Sequence, residues 1–270
     1  MKRLTCLRDW VHENYRLAYV LGTGALALGA WAVVPEASPF WSLGAWVAAL
    51  ALGAILEPGV HVGSQLYGPV LSRGQTDRAV LALTFDDGPC PPHTSRILDV
   101  LAREKVQATF FCLGREVRRH PELVRRMVRE GHLVGTHTEN HCNLLFSTPG
   151  RSYREILEGR RSLALVMGQE PEWFRPPYGM RPPWALNQAR NMGMTTALWS
   201  NCPRDWQRPG AEVLARRVVD RARPGDVVLL HDGGGNRSQT VRALEILIPE
   251  LRRKGMGFVR LDALAGPPGP

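Results

Sequence analysis

LALTFDDGP, residues 81–89, is the stretch from which the fold can be read. Apolar side chains carry it as far as Phe85, two adjacent carboxylates follow at Asp86 and Asp87, and Gly88-Pro89 turns the chain. A short apolar run closed by turn residues is the pattern of a buried strand that delivers polar groups at its end. Successive side chains of an extended chain point to opposite faces, so Asp86 and Asp87 are expected to do different jobs. One carboxylate suits a metal ion and the other a reacting group. A plain polar turn is the bland reading of the same dipeptide.

Working outward, apolar runs of strand length recur at 80–85, 108–113, 133–136, 173–174, 195–199, 227–230 and 257–261. Helical patterns lie between them at 95–104, 121–130, 153–167, 183–192, 211–222 and 239–254. Seven strands alternating with six helices predict an α/β fold with a parallel sheet and right-handed crossovers. Polar residues with chemical potential follow nearly every strand, which is the habit of a barrel's C-terminal rim, so a barrel is expected over an open sheet. Gly233-Gly-Gly235 has neither a following Lys-Ser/Thr nor G-x-G-x-x-G spacing and is not read as a phosphate loop.

Before this alternation, residues 17–34 and 39–56 carry no charge. Each approaches the roughly 20 apolar residues that cross a bilayer. The pair is read as a transmembrane hairpin; a signal peptide is disfavoured because a second apolar stretch follows at once and no small-residue cleavage site is evident. Trp31 and Trp41 flank the intervening turn, as interfacial aromatics do. Lys2, Arg3, Arg8 and Arg16 precede the first span while the loop has no Lys or Arg, a bias that places the main domain in the cytoplasm. A cell-wall substrate would require it outside. The expected layout is a membrane hairpin at 1–56, a linker at 57–78, the main domain at 79–264 and a Gly/Pro tail at 265–270.

The formal net charge is +9, and residues 1–78 contribute six Lys or Arg against five Asp or Glu, so nearly all the excess lies in the main domain. A basic domain beside a membrane suits anionic lipid as a partner. Nucleic acid is the other standard partner, and it is set aside because the arginines are dispersed over many helices without a contiguous basic face or stacking groups. The five cysteines are odd in number and form no C-x-x-C pair, which fits reduced thiols better than a disulfide framework.

The strand ends carry the chemistry. His137-Thr-Glu-Asn-His141 places two imidazoles four apart, on one face if the segment is helical. Together with a carboxylate they make a site for a divalent metal with positions left for water. Arg175-Pro-Pro-Tyr-Gly179 presents a permanently charged fork on a backbone stiffened by proline. Trp199-Ser-Asn-Cys-Pro-Arg-Asp-Trp206 follows the fifth strand, and Val228-Leu-Leu-His231-Asp232 brings a histidine out of the sixth.

Taken in this order over residues 79–264, the segments resemble the polysaccharide deacetylases, the NodB-like carbohydrate esterases of family 4. The resemblance implies a distorted (β/α)7 barrel, here preceded by the two-helix hairpin. It implies metal-dependent hydrolysis of the N-acetyl group of an amino sugar in a polysaccharide or cell-envelope glycan, with release of acetate. By position it implies Asp86 as general base, oriented by Arg175, and Asp87, His137 and His141 as ligands of a divalent metal. Zinc is the first choice, with cobalt, manganese or nickel also compatible. It further implies the Tyr178 N–H as an oxyanion donor, Trp206 and Leu229 as walls of the acyl pocket, and His231 as general acid. The chain departs from the pattern at Cys202, where the family has an aspartate that supports the catalytic histidine; Asp205 or Asp232 is the expected substitute. Two alternatives accompany this reading: a deacetylase or deformylase of a polyprenyl-phosphate-linked amino sugar at the cytoplasmic face, and a carbohydrate-binding protein impaired by Cys202.

Overall fold

The computed structural model describes residues 44, 46–48, 61 and 63–265. The chain divides after Pro58 into two units; of the first, the four described residues are helical, and the second holds everything that follows.

Seven parallel strands form the centre: β1 (Val80–Asp86), β2 (Thr109–Cys112), β3 (Leu133–Thr136), β4 (Trp173–Phe174), β5 (Thr195–Thr196), β6 (Val227–His231) and β7 (Gly257–Phe258). Their order is β5-β4-β3-β2-β1-β6, with β7 paired to the start of β1. The gap between β5 and β6 is bridged by the chain after β5: Leu71 pairs with Ala197 and Asn201 with Val228. The result is a parallel half-barrel that matches the distorted (β/α) barrel implied by the resemblance.

Strand alternation decides what lies inside. On β1, Leu81, Leu83 and Phe85 face the helical layer, where they join Leu98, Phe110, Val228, Leu230 and Leu244. Ala82, Thr84 and Asp86 therefore face inward. On β6 the inward set is Val227, Leu229 and His231, and the parallel register places Thr84 beside Leu229 and Asp86 beside His231. The lower interior is apolar, with Ala82, Phe111, Trp173, Ala197 and Val227 packed together.

The outer helices are α1 (His93–Arg103), α2 (Gly114–Arg119), α3 (Pro121–Arg129), α4 (Pro149–Met167), α5 (Pro183–Asn191), α6 (Ala211–Val219) and α7 (Ser238–Arg253). The short α2 is additional to the six predicted helices; Leu113 leads it off β2, and only Gly114 and Val117 are buried, too few apolar positions to set a period. The stretch read as a linker packs onto the barrel from residue 63 onward: Val70 is buried and Leu71 N–H bonds to Thr196 O. Gly-, Pro- and Ser-rich composition hid two isolated bridges, which are too short to show periodicity.

The membrane assignment is corrected. No helix among the described residues is long and apolar enough to cross a membrane. The longest, α4, carries Arg151, Arg154, Arg160 and Arg161 along its length and buries one face on the barrel. The predicted spans at 17–34 and 39–56 lie outside the described residues, apart from Gly44 and residues 46–48. The bilayer-length criterion counts apolar residues without testing what they pack against. The membrane localisation and the lipid partner drawn from it are withdrawn.

Candidate active site

The rim of the barrel gathers the residues singled out from the sequence. β1 ends at Asp86, which is 2% exposed, and Asp87 then leaves the strand with φ of 76°. This left-handed step, uncommon outside glycine, separates the two carboxylates more sharply than strand alternation alone. Asp86 stays in the interior and Asp87 turns toward the loop after β3.

Arg175 is fully buried at the end of β4 and spans the cleft floor. Its Nη1 donates to Asp86 Oδ1 and to Thr84 Oγ1, each at 2.8 Å, while Nη2 donates to Leu198 O at 2.7 Å. The guanidinium also lies 4.1 Å from the centroid of the Phe111 ring. The guanidinium meets all of these acceptors at once in a fixed fork geometry, and here it fixes the Asp86 carboxylate. Thr84 was missed from the sequence; its signal was the two-residue spacing that puts it on the same face as Asp86.

The loop after β3 is irregular. Thr138 and His141 have φ of 72° and 61°, so the two histidines meet through a folded loop and not along a helix face. The four-residue spacing suggested a helix, but the left-handed residues remove that period. Even so, the ring centroids of His137 and His141 lie 5.1 Å apart. His137 Nδ1 is 2.7 Å from Arg175 O; a carbonyl only accepts, so Nδ1 carries the proton and Nε2 keeps its lone pair. That Nε2 lies 3.6 Å from Asp87 Oδ1, and His141 Nε2 lies 3.1 Å from the same oxygen. Asp87 Oδ1 is buried and makes no hydrogen bond among the described residues, although His141 Nε2 lies 3.1 Å away.

The three donor atoms lie within 4.8 Å of one another. An orphaned carboxylate oxygen facing two imidazole nitrogens, one of fixed tautomer, fits a divalent cation. Burial raises the Asp87 pKa, but the adjacent His141 and the charges of His137 and His231 outweigh it and hold the carboxyl well below its ordinary range. Burial lowers the pKa of His137 despite Asp86 and Asp87, which favours the neutral, ligating imidazole.

His231 ends β6 beside Asp86. Its Nδ1 is 2.7 Å from Asp205 Oδ1, and its backbone N–H donates to Asp205 Oδ2 at 2.9 Å. Asp205 is itself held, accepting from Thr240 Oγ1 at 3.1 Å, while Gln239 Nε2 donates to its backbone oxygen at 2.7 Å. Burial pulls the His231 pKa down, but the hydrogen bond and charge of Asp205, with the charges of Asp86 and Asp87, raise it above the ordinary imidazole value. Of the two substitutes expected for Cys202, Asp205 is the partner. Asp232, the residue after β6, accepts from Thr94 Oγ1 at 2.6 Å, and burial pushes its pKa up to about 7. Burial raises the Cys202 thiol to about 11, so it is neutral at ordinary pH.

Two exposed aromatics flank the histidines. Trp206 meets the His231 ring edge-on at 5.4 Å, and Tyr178 meets His141 at 4.6 Å. Tyr178 has φ of 60° and lies in the first turn of a one-turn 3-10 helix, where amides lack intrahelical acceptors. Leu229 is buried two residues before His231 on the same face of β6.

The polysaccharide deacetylase family model matches residues 73–197. The chain is 43% identical over 187 residues to a peptidoglycan-N-acetylglucosamine deacetylase of Bacillus cereus, covering 68% of this chain and 87% of that one. It is 43% identical over 194 residues to a chitooligosaccharide deacetylase of Bradyrhizobium sp., covering 67% and 89%. Among solved structures, it superposes on the Bc1960 peptidoglycan N-acetylglucosamine deacetylase with a TM-score of 0.70 at 35% identity, covering 72% of this chain and 91% of that one.

Proposed function

Because this chain belongs to the polysaccharide deacetylase family, the NodB-like carbohydrate esterases of family 4, we propose that it hydrolyses the N-acetyl group of an amino sugar within a glycan. The products are acetate and the free amine. The observation that carries this reading is the meeting of three groups at one rim: the Asp87–His137–His141 cluster, the Arg175-held Asp86, and the Asp205-held His231.

Asp87, His137 and His141 would hold a divalent metal, with zinc the first choice for a carboxylate and two imidazoles. When bound, such a cation supplies Lewis acidity toward a carbonyl and lowers the pKa of water. The chain's own residues do the rest. Asp86 is buried, oriented by Arg175 and acceptor-only when ionised, so it takes the proton of the attacking water. His231 is kept protonated by Asp205 and gives its Nε2 proton to the departing nitrogen. The Tyr178 N–H donates to the oxygen on which charge develops. Trp206 and Leu229 present apolar walls that seat the acetyl methyl group. The catalytic unit is residues 79–264, with residues 63–78 packed on it.

The impaired-protein alternative loses its main support, since the carboxylate that Cys202 lacks is provided three residues later by Asp205. The test is acetate release from N-acetylglucosamine oligomers by the full chain, with zinc, with cobalt and with chelator, beside Asp86→Ala. Metal-dependent release absent from the variant is expected. No release with any metal, from a folded chain that still binds the sugar, would overturn the reading.

A further inference from the structure

The Gly233-Gly-Gly235 stretch is not used by the chemistry above, yet it lies directly against Asp87. A Cβ added at Gly233 would stand 2.1 Å from Asp87 O. Gly234 has φ of 70°, and a Cβ there would stand 2.6 Å from Asp87 Oδ2. Two successive positions are therefore closed to any side chain, one by the backbone of Asp87 and the other by its carboxylate. The loop also begins in register with the base, since Asp232 N–H donates to Asp86 O at 3.0 Å.

Arg237 holds this loop in place. It is 5% exposed; its Nε donates to Gly233 O at 2.7 Å and its Nη2 to Gly234 O at 3.0 Å. No carboxylate lies within ion-pair distance of it among the described residues. A buried guanidinium is costly unless its donors are used, and the bonds that use them run to the carbonyls of the two glycines packed against Asp87. Glycine gives the loop its close approach but also its freedom, and a loop with three glycines in a row does not keep one shape by itself. A rigid fork bridging two consecutive carbonyls supplies what the glycines lack.

Gly234 covers Asp87 Oδ2, which leaves Oδ1 as the oxygen facing the histidines, 3.1 Å from His141 Nε2 and 3.6 Å from His137 Nε2. We propose that Arg237 is a positioning residue for the metal site: by pinning Gly233 and Gly234 it fixes the Asp87 carboxylate so that Oδ1 alone is presented as a ligand atom. The inference rests on the reading of Asp87, His137 and His141 as metal ligands. It extends that reading to a side chain that touches none of them. Groups that orient a ligand without touching the ion typically change metal affinity by about 10–100-fold when removed.

The experiment measures zinc affinity of the full chain by chelator competition, and the melting temperature of each metal-free protein, for wild type, Arg237→Ala, Arg237→Lys and Gly234→Ala. Arg237→Ala and Gly234→Ala are expected to weaken zinc binding by about 10–100-fold. Arg237→Lys should fall between, since an ammonium keeps the charge without bridging both carbonyls. If Arg237 only supported the fold, Arg237→Ala would lower the metal-free melting temperature and keep wild-type zinc affinity. That result, or wild-type affinity in Gly234→Ala, would overturn the proposal. The metal readout is independent of turnover: a wild type that binds zinc but releases no acetate overturns the functional reading, while the affinities of the variants still decide the role of Arg237.

Discussion

His137 and His231 sit in one cleft and use the same nitrogen, Nδ1, in bonds of the same length, 2.7 Å, yet the two rings are set to opposite states. The His137 bond runs to a backbone carbonyl, a neutral dipole that fixes the tautomer, and burial keeps the ring's pKa low. The His231 bond runs to the Asp205 carboxylate, which overrides the same kind of burial and raises it. In the proposed mechanism this difference makes one ring a ligand and the other an acid. Environment, not residue type, assigns the role.

The comparison is broken most completely at the carboxylate between the two histidines. Asp86 lies beside His231 in the strand register and 3.9 Å from His137 Nε2, held by Arg175. Asp86→Asn should lower kcat by about 10²–10⁴-fold, the usual contribution of a positioned base. Zinc affinity, measured alongside, should stay near wild type because the three ligands remain. A comparable loss of zinc binding would move Asp86 from base to ligand.

Arg175 supports both halves, through its carbonyl to His137 and its guanidinium to Asp86. Arg175→Met keeps the backbone carbonyl but leaves a buried carboxylate without its cation, which costs about 3–5 kcal/mol. Denaturant unfolding should show that loss, and most of it should be recovered in Arg175→Met/Asp86→Asn, where no buried charge is left unpaired. A loss unchanged in the double variant would mean that Arg175 acts through packing on Phe111 instead.

The smallest effect is expected at Cys202. Since His231 Nδ1 is already occupied by Asp205, Cys202→Asp should change kcat by less than about tenfold, or ~1.4 kcal/mol. A gain of a hundredfold or more would show that the natural cysteine leaves the acid unsupported.

Much of this architecture was legible in the sequence because it depends on local signals. Apolar runs at 80–85, 133–136, 173–174 and 227–230 marked strands, and the chemistry fell just beyond them. What escaped depends on long-range contact. Thr84 and Arg175 are 91 residues apart, and nothing local links them. The His137–His141 loop keeps helical spacing without helical backbone, since two left-handed residues bring the rings together. Cys202 drew attention as the departure from pattern, whereas the one-turn 3-10 helix Asp205–Gln207 sets the Asp205 carboxylate against His231. Arg237 carried no motif at all; the role proposed for it rests on the approach of Gly234 to Asp87, which no local pattern marks. The apolar runs near the N-terminus satisfied a length rule, but no helix among the described residues is a membrane span.

If Asp205 makes His231 the acid of the proposed mechanism, the pH dependence of kcat must depend on Asp205. The raised pKa of His231 keeps the ring protonated to higher pH than an ordinary imidazole, so the alkaline limb of the profile should lie above the ordinary imidazole value. In Asp205→Asn burial is opposed only by the charges of Asp86 and Asp87, so the pKa falls and the limb should move to lower pH. The same shift has a sign for stability: the pair stabilises the fold fully below the unfolded imidazole pKa and loses that contribution as pH rises through the higher folded value. An Asp205→Asn profile whose alkaline limb moves down while zinc affinity is unchanged is the predicted result. An alkaline limb that stays where wild type has it would contradict the account.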